Sequence, residues 1–133
     1  MTLTQARWFL AASLAASLAV AVAAPAFART RSTTVAVTVK KSNDFRFLLS
    51  RTVVPHGSVT FKFANQGSLS HNFKVCSSNK GGTLNSCAGK GTKTISGGSK
   101  ATLKLTLKPG RYEYLCTVPG HAASGMKGIM RVK

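Results

Sequence analysis

Beyond an apolar N-terminal stretch, apolar and polar residues alternate along most of this chain. In TTVAVTVK, residues 33–40, Val35, Val37 and Val39 share one side. The same alternation groups Phe45, Phe47 and Leu49 in FRFLLS (45–50), and Val59, Phe61 and Phe63 in SVTFKFAN (58–65). It groups Leu103, Leu105 and Leu107 in ATLKLTLK (101–108), and Tyr112, Tyr114 and Cys116 in RYEYLC (111–116). HNFKVC (71–76) and GIMRVK (128–133) are shorter runs of the same kind. Alternate residues of a strand project to opposite faces, so each run reads as a strand with one side in a core and the other in water. Turn signals at Pro55-His56-Gly57, Asn65-Gln66-Gly67, Gly97-Gly98 and Pro109-Gly110 separate the runs. No stretch after the N-terminal segment carries a helical period. The pattern predicts an all-β domain of two packed antiparallel sheets, with Phe, Leu and Val between them and Lys and Arg outside. Residues 77–99, rich in Gly, Ser, Thr and Asn, read as a long loop with at most a short strand near Thr92 to Ile95.

The N-terminal stretch changes the setting. Trp8 to Ala24 is apolar, and the following APAFA ends at Ala28 with small residues at Ala26 and Ala28. That is the pattern of a signal peptide cleaved after residue 28, and the apolar run is barely long enough for a membrane anchor. The sequence therefore predicts a leader over 1–28 and one domain over 29–133. The domain is expected in the periplasm or the extracellular space, as a monomer with no stable membrane insertion.

Charge narrows the partners. The chain has 19 Lys and Arg against 2 acids, Asp44 and Glu113, for a net charge of +17. Nucleic-acid binding is disfavoured, because the bases are scattered singly, the longest run is Lys40-Lys41, no nucleic-acid motif is present and the protein is read as exported. A basic surface instead suits anionic partners.

The chain has 3 cysteines. In an oxidising compartment one bridge can form and one thiol is left over. Pairing Cys76 with Cys87 closes the loop between them and stabilises by about 3 kcal/mol in the chain-entropy model. Pairing Cys116 with either is also open on spacing alone. The surroundings of Cys116 argue against it. In YEYLCTVPGHAASGMKG, His121 and Met126 follow Cys116 at even intervals, on one loop that Pro119, Gly120 and Gly125 allow to fold tightly. A fourth ligand has two candidates. His56 sits in the turn VPHGS and reads as an exposed turn residue, whereas His71 opens an apolar strand. Two imidazoles, a thiolate and a weak thioether are the donor set of blue copper. Zinc rarely takes methionine, and iron–sulfur clusters need more thiolates. A Cys–His hydrolytic pair would leave Met126 without a role.

With SHNFKV upstream, YEYLCTVPGHAASGMKG resembles the cupredoxins, the azurin- and plastocyanin-like small blue copper proteins, over nearly the whole of 29–133. The resemblance implies a two-sheet Greek-key β-sandwich holding one type 1 copper, with ligands His71, Cys116 and His121 and Met126 axial. It implies that Asn72 ties the two ligand-bearing segments together. It also implies a patch around the edge of His121, formed by Val118, Pro119, Gly120, Ala122 and Ala123, where redox proteins dock briefly. The expected function is one-electron transfer between anionic or membrane-associated redox partners, and the protein is not expected to be an enzyme. Copper carriage or tolerance without a redox cycle is the alternative, and a metal-free adhesion module is a third reading.

Overall fold

A computed structural model describes residues 32–79 and 88–133. The expected leader, residues 1–28, lies outside them, as does Cys87.

The described residues form eight strands and no helix: β1 (Thr33–Lys40), β2 (Asn43–Leu49), β3 (Val53–Val54), β4 (Gly57–Gln66), β5 (Lys74–Val75), β6 (Lys100–Leu107), β7 (Gly110–Leu115) and β8 (Lys127–Val132). They make two four-stranded sheets, ordered β2-β1-β4-β6 and β3-β8-β7-β5. The alternation read from the sequence is the core. Val35, Val37, Val39, Val59, Phe61 and Phe63 are at most 1% exposed, and Leu103, Leu107, Tyr112, Tyr114, Met130 and Val132 close the space between the sheets.

Three expectations need correction. The sheets are mixed rather than wholly antiparallel, because β1 pairs with β4 and β3 with β8 in parallel. After β2 the chain crosses to the second sheet as β3 and re-enters the first from the end at which β1 began. Side-chain alternation is the same for either direction, so it could not report this. Second, of HNFKVC only Lys74–Val75 is a strand. His71 and Ile95, and Lys74 and Gly91, form isolated bridges, and these are what the short strand near 92–95 amounts to. Third, two residues break the alternation. Phe45 is 38% exposed although it lies in register with buried Phe47, and Glu113, on the expected outer face of β7, is 1% exposed. The outer face of β7 is covered near its end, where Leu115 clusters with Cys76 and Ala122.

Candidate metal centre

The site forms at one end of the sandwich, where two strands of different sheets run out. β4 ends at Gln66, and five residues later the chain delivers His71 to a bridge with Ile95, bonded in both directions at 3.0 and 2.8 Å. Two residues further on, Phe73 plunges into the core among Phe47, Phe61, Phe63 and Tyr114, with centroid distances from 5.2 to 6.4 Å. Each such pair adds about 1 kcal/mol beyond buried area, so Phe73 anchors the segment that carries His71.

Cys116 follows directly on β7, and Met126 directly precedes β8. The two are opposed across the mouth of that hairpin, with the Cys116 amide donating to the Met126 carbonyl at 3.0 Å. The loop between them folds on itself. His121 N–H donates to Val118 O (3.1 Å), Ser124 N–H to Gly120 O (3.0 Å), Gly125 N–H to Ala122 O (3.1 Å) and Met126 N–H to His121 O (3.0 Å). Gly120 and Gly125 supply the positive φ values, 83° and 102°, that these turns require.

The result is a convergence of soft and nitrogen donors. His71 Nδ1 lies 3.1 Å from His121 Nδ1, and Cys116 Sγ lies 3.6 Å from His121 Nδ1 and 4.0 Å from His71 Nδ1. The three ligand atoms all lie within 4.8 Å of one another. His71, Cys116 and Met126 are fully buried, while the His121 ring is partly exposed. Cys116 is free and buried, so the disulfide readings that involved it are excluded. Burial pushes its thiol above the usual range, partly offset by the backbone amides of Asn72 and Val118. Burial, and then the neighbouring His71, push His121 below the usual imidazole range. In both groups burial disfavours the charged form, so the His121 ring is favoured with a free lone pair while Cys116 is favoured as the thiol, and a soft cation that displaced the thiol proton would balance the thiolate in this dry cluster. With Met126 buried beside them, these residues fit copper and are arranged as a type 1 site.

A family model described as copper binding proteins, plastocyanin/azurin family, matches residues 33–133. The chain belongs to this family. Among solved structures, this cupredoxin is similar to a reduced auracyanin from the photosynthetic bacterium Roseiflexus castenholzii, with 28% identity over 76% of this chain and 97% of that one and a TM-score of 0.65. It has the same fold as auracyanin A of Chloroflexus aurantiacus, a "blue" copper protein, with 22% identity over 77% of this chain and 100% of that one and a TM-score of 0.64. It also shares the fold of rusticyanin from Thiobacillus ferrooxidans, with 24% identity, 77% of each chain covered and a TM-score of 0.59. No curated protein matches the sequence significantly.

Other expected residues fall as follows. Asn72 joins the two segments: its Oδ1 accepts the Thr117 amide at 2.8 Å, and its Nδ2 donates to the hydroxyls of Thr94 (3.1 Å) and Thr117 (2.9 Å). His56 is an exposed turn residue, away from the site, with Nδ1 at 2.9 Å from Lys133 O. Pro119, Gly120 and Ala123 are exposed and Val118 is partly so, but Ala122 is 4% exposed. Ala122 packs under the rim against Leu115 and does not belong to its surface.

Three contributors escaped the sequence reading. Phe45 packs edge-on against the His121 ring at 5.2 Å, which accounts for its exposure at the sheet end. Asn65, 1% exposed, donates to the carbonyls of Leu69 (2.9 Å) and Ile95 (3.0 Å) and accepts the Gly67 amide (3.1 Å), fixing the loop before His71. Asp44 Oδ1 lies 3.2 Å from His71 Nε2. Burial acts to raise the Asp44 carboxyl, but the Ser68 amide, His71 and the Leu69 amide outweigh it and bring it below its usual range. A signal for Asp44 was available: it is one of only 2 acids in a chain of 19 bases.

Proposed function

We propose that this cupredoxin is an exported one-electron carrier whose copper alternates between Cu(I) and Cu(II). The observation that carries the reading is the placement of His71 and Cys116, with no solvent exposure, around a point that His121 connects to the surface. The chain's residues would offer a copper ion four donors, held on a cross-braced frame. A frame that does not rearrange between states keeps the cost of electron transfer low, and it leaves no open position for a substrate, as an oxidase or reductase would need. His71, Cys116 and His121 would hold the ion through two imidazole nitrogens and a thiolate, and Met126 would add a weak thioether. Asn72 braces the two ligand segments. The burial of Cys116 disfavours the rapid ligand exchange that copper carriage would require.

Electrons enter and leave through the partly exposed His121 ring, flanked by Val118, Pro119, Gly120, Ala123 and Phe45. Docking there is brief and covers little area. Both acids of the chain are turned inward, Asp44 toward His71 and Glu113 at 1% exposure, so the exposed charged side chains are all basic. That surface suits anionic redox partners, with association that weakens as salt rises. The domain is a monomer over 29–133 that follows a cleaved leader, and its strands follow a Greek-key path. Among the described residues no helix is long and apolar enough to cross a membrane. Because Cys116 is free, Cys76 and Cys87 remain as the available pair for a disulfide.

Titration of the metal-free protein with Cu(II) tests the reading. An intense red-absorbing thiolate-to-copper band saturating at one equivalent is expected, followed by fast reversible reduction at an electrode. A colourless complex would refute blue copper. A blue complex that surrenders Cu(I) to a chelator within seconds would favour carriage instead.

A further inference from the structure

The two histidines of the site are not equivalent. The His121 ring meets an aromatic edge, Phe45, at 5.2 Å, whereas His71 Nε2 meets a carboxylate, Asp44 Oδ1, at 3.2 Å. Asp44 is not a surface acid that happens to swing inward. Its Oδ1 and Oδ2 accept the Ser68 amide at 2.8 and 3.0 Å, and Oδ1 also faces the Leu69 amide at 3.4 Å. The loop from β4 to His71 closes down on this carboxylate so tightly that a Cβ at Gly67 would collide with Oδ1. The Asp44 side chain is 14% exposed and that of His71 is not exposed at all, so water screens the pair poorly.

We infer that Asp44 is a positioning and tuning residue of the copper site, which fixes His71 with its proton on Nε2 and favours Cu(II) over Cu(I) by its charge. This rests on the blue-copper reading above. An ionised carboxylate only accepts hydrogen bonds, so the atom facing it, Nε2, must be the donor. The lone pair then lies on Nδ1, the atom that converges with Cys116 Sγ and His121 Nδ1. A carboxylate behind a ligand imidazole also makes the imidazole a stronger donor, and loss of such a partner typically costs 10–100-fold in metal affinity. A fixed negative charge stabilises the doubly charged ion more than the singly charged one, so it lowers the reduction potential. No other acidic side chain can do this on the surface of the chain, since the second acid, Glu113, is 1% exposed.

The test compares copper-loaded wild type with Asp44→Asn, which keeps an acceptor oxygen for the Ser68 amide and removes the charge. Potentials are read by spectroelectrochemical titration, and Cu(II) and Cu(I) affinities by chelator competition. In the variant, Cu(II) affinity is expected to fall about tenfold with Cu(I) affinity nearly unchanged, which raises the potential by about 59 mV. A blue wild type whose potential is unmoved by Asp44→Asn overturns the inference and leaves blue copper standing. A wild type with no blue band overturns the blue-copper reading, and the inference with it. If Asp44→Asn does not fold, the nitrogen chemical shifts of His71 in the metal-free wild type decide. A proton on Nε2 alone supports the inference, and a proton on Nδ1 overturns it.

Discussion

The segment that carries Cys116, His121 and Met126 is held by its own main chain, whereas the segment that carries His71 is held by a backbone bridge to Ile95 and by side chains, both from far along the sequence. In the first, four hydrogen bonds between backbone groups of residues 118–126, and the Cys116–Met126 bond across its base, define the loop. In the second, Asn65 reaches to Ile95, Asp44 reaches Ser68 from another strand, and Asn72 reaches Thr117, 45 residues away. Local bonds form as soon as the chain turns, while long-range ones require the sandwich to be assembled. The His71 segment should therefore share the global stability of the fold, and the Cys116 loop should be separable from it. Mutations on the two sides can be used to break that distinction.

The largest expected effect is on colour. Cys116→Ser removes the thiolate and should abolish the red-absorbing band altogether. Because the side chain sits at the end of β7 in a loop built by backbone bonds, the metal-free variant should unfold in urea within about 1 kcal/mol of wild type. A loss several times larger would mean that the loop is part of the global core.

Asn65→Ala should do the reverse. It removes the side-chain partners of the Leu69 carbonyl and the Gly67 amide around a residue 1% exposed, while the Ile95 carbonyl keeps only the His71 amide. Leaving buried polar groups unpaired costs about 1–3 kcal/mol each, so the metal-free protein should lose about 3 kcal/mol by urea denaturation. The copper band, in whatever fraction stays folded, should keep its position. A stability loss below about 1 kcal/mol would show that side chains do not hold the His71 segment.

Asn72→Ala lies between the two, since its amide spans both segments. Loss of the bond to the Thr117 amide and to the Thr94 hydroxyl should cost about 1 kcal/mol, because both partners are near water and can be rehydrated. Copper loss to a chelator should quicken about tenfold, as expected of a side chain that orients two ligand segments. Unchanged copper release would mean that each segment is rigid alone.

The same division explains what could be read in advance. Val35, Val37 and Val39 and their counterparts declared a sandwich because burial on one face of a strand has a period of two. Cys116, His121 and Met126 declared a metal loop because their spacing, with Pro119 and Gly125, is a local property. Of the side chains bracing His71, Asn72 was named only through the family resemblance, and Asp44 and Asn65 were missed, because they act across 24 and 30 residues of sequence, on distances only the fold closes. The parallel pairing of β1 with β4 was hidden for the same reason: it depends on where β3 goes, not on either partner. Phe45 misled in the opposite direction, since its alternation promised a core position and the register of β2 against β1 shifts in that part of the strand.

The smallest effect gives the sharpest comparison, because it uses one substitution on both sides. Gly125 (φ +102°) lies in the Cys116 loop, and Gly98 (φ +82°) lies in the turn whose amide donates to Asn65 O at 2.7 Å. A Cβ at either position would meet nothing within 4 Å, so alanine adds backbone strain and no clash. That strain is about 1 kcal/mol in each case, and the two variants should melt alike. They should differ in where the strain is relieved. Gly98→Ala strains a turn pinned by Asn65 and should leave the copper spectrum unchanged. Gly125→Ala strains a loop free to relax, and the relaxation loosens the bonds that set His121 and Met126, so the band should shift or broaden. Identical spectra from the two variants would show that the loop is as firmly tied to the sandwich as the turn is.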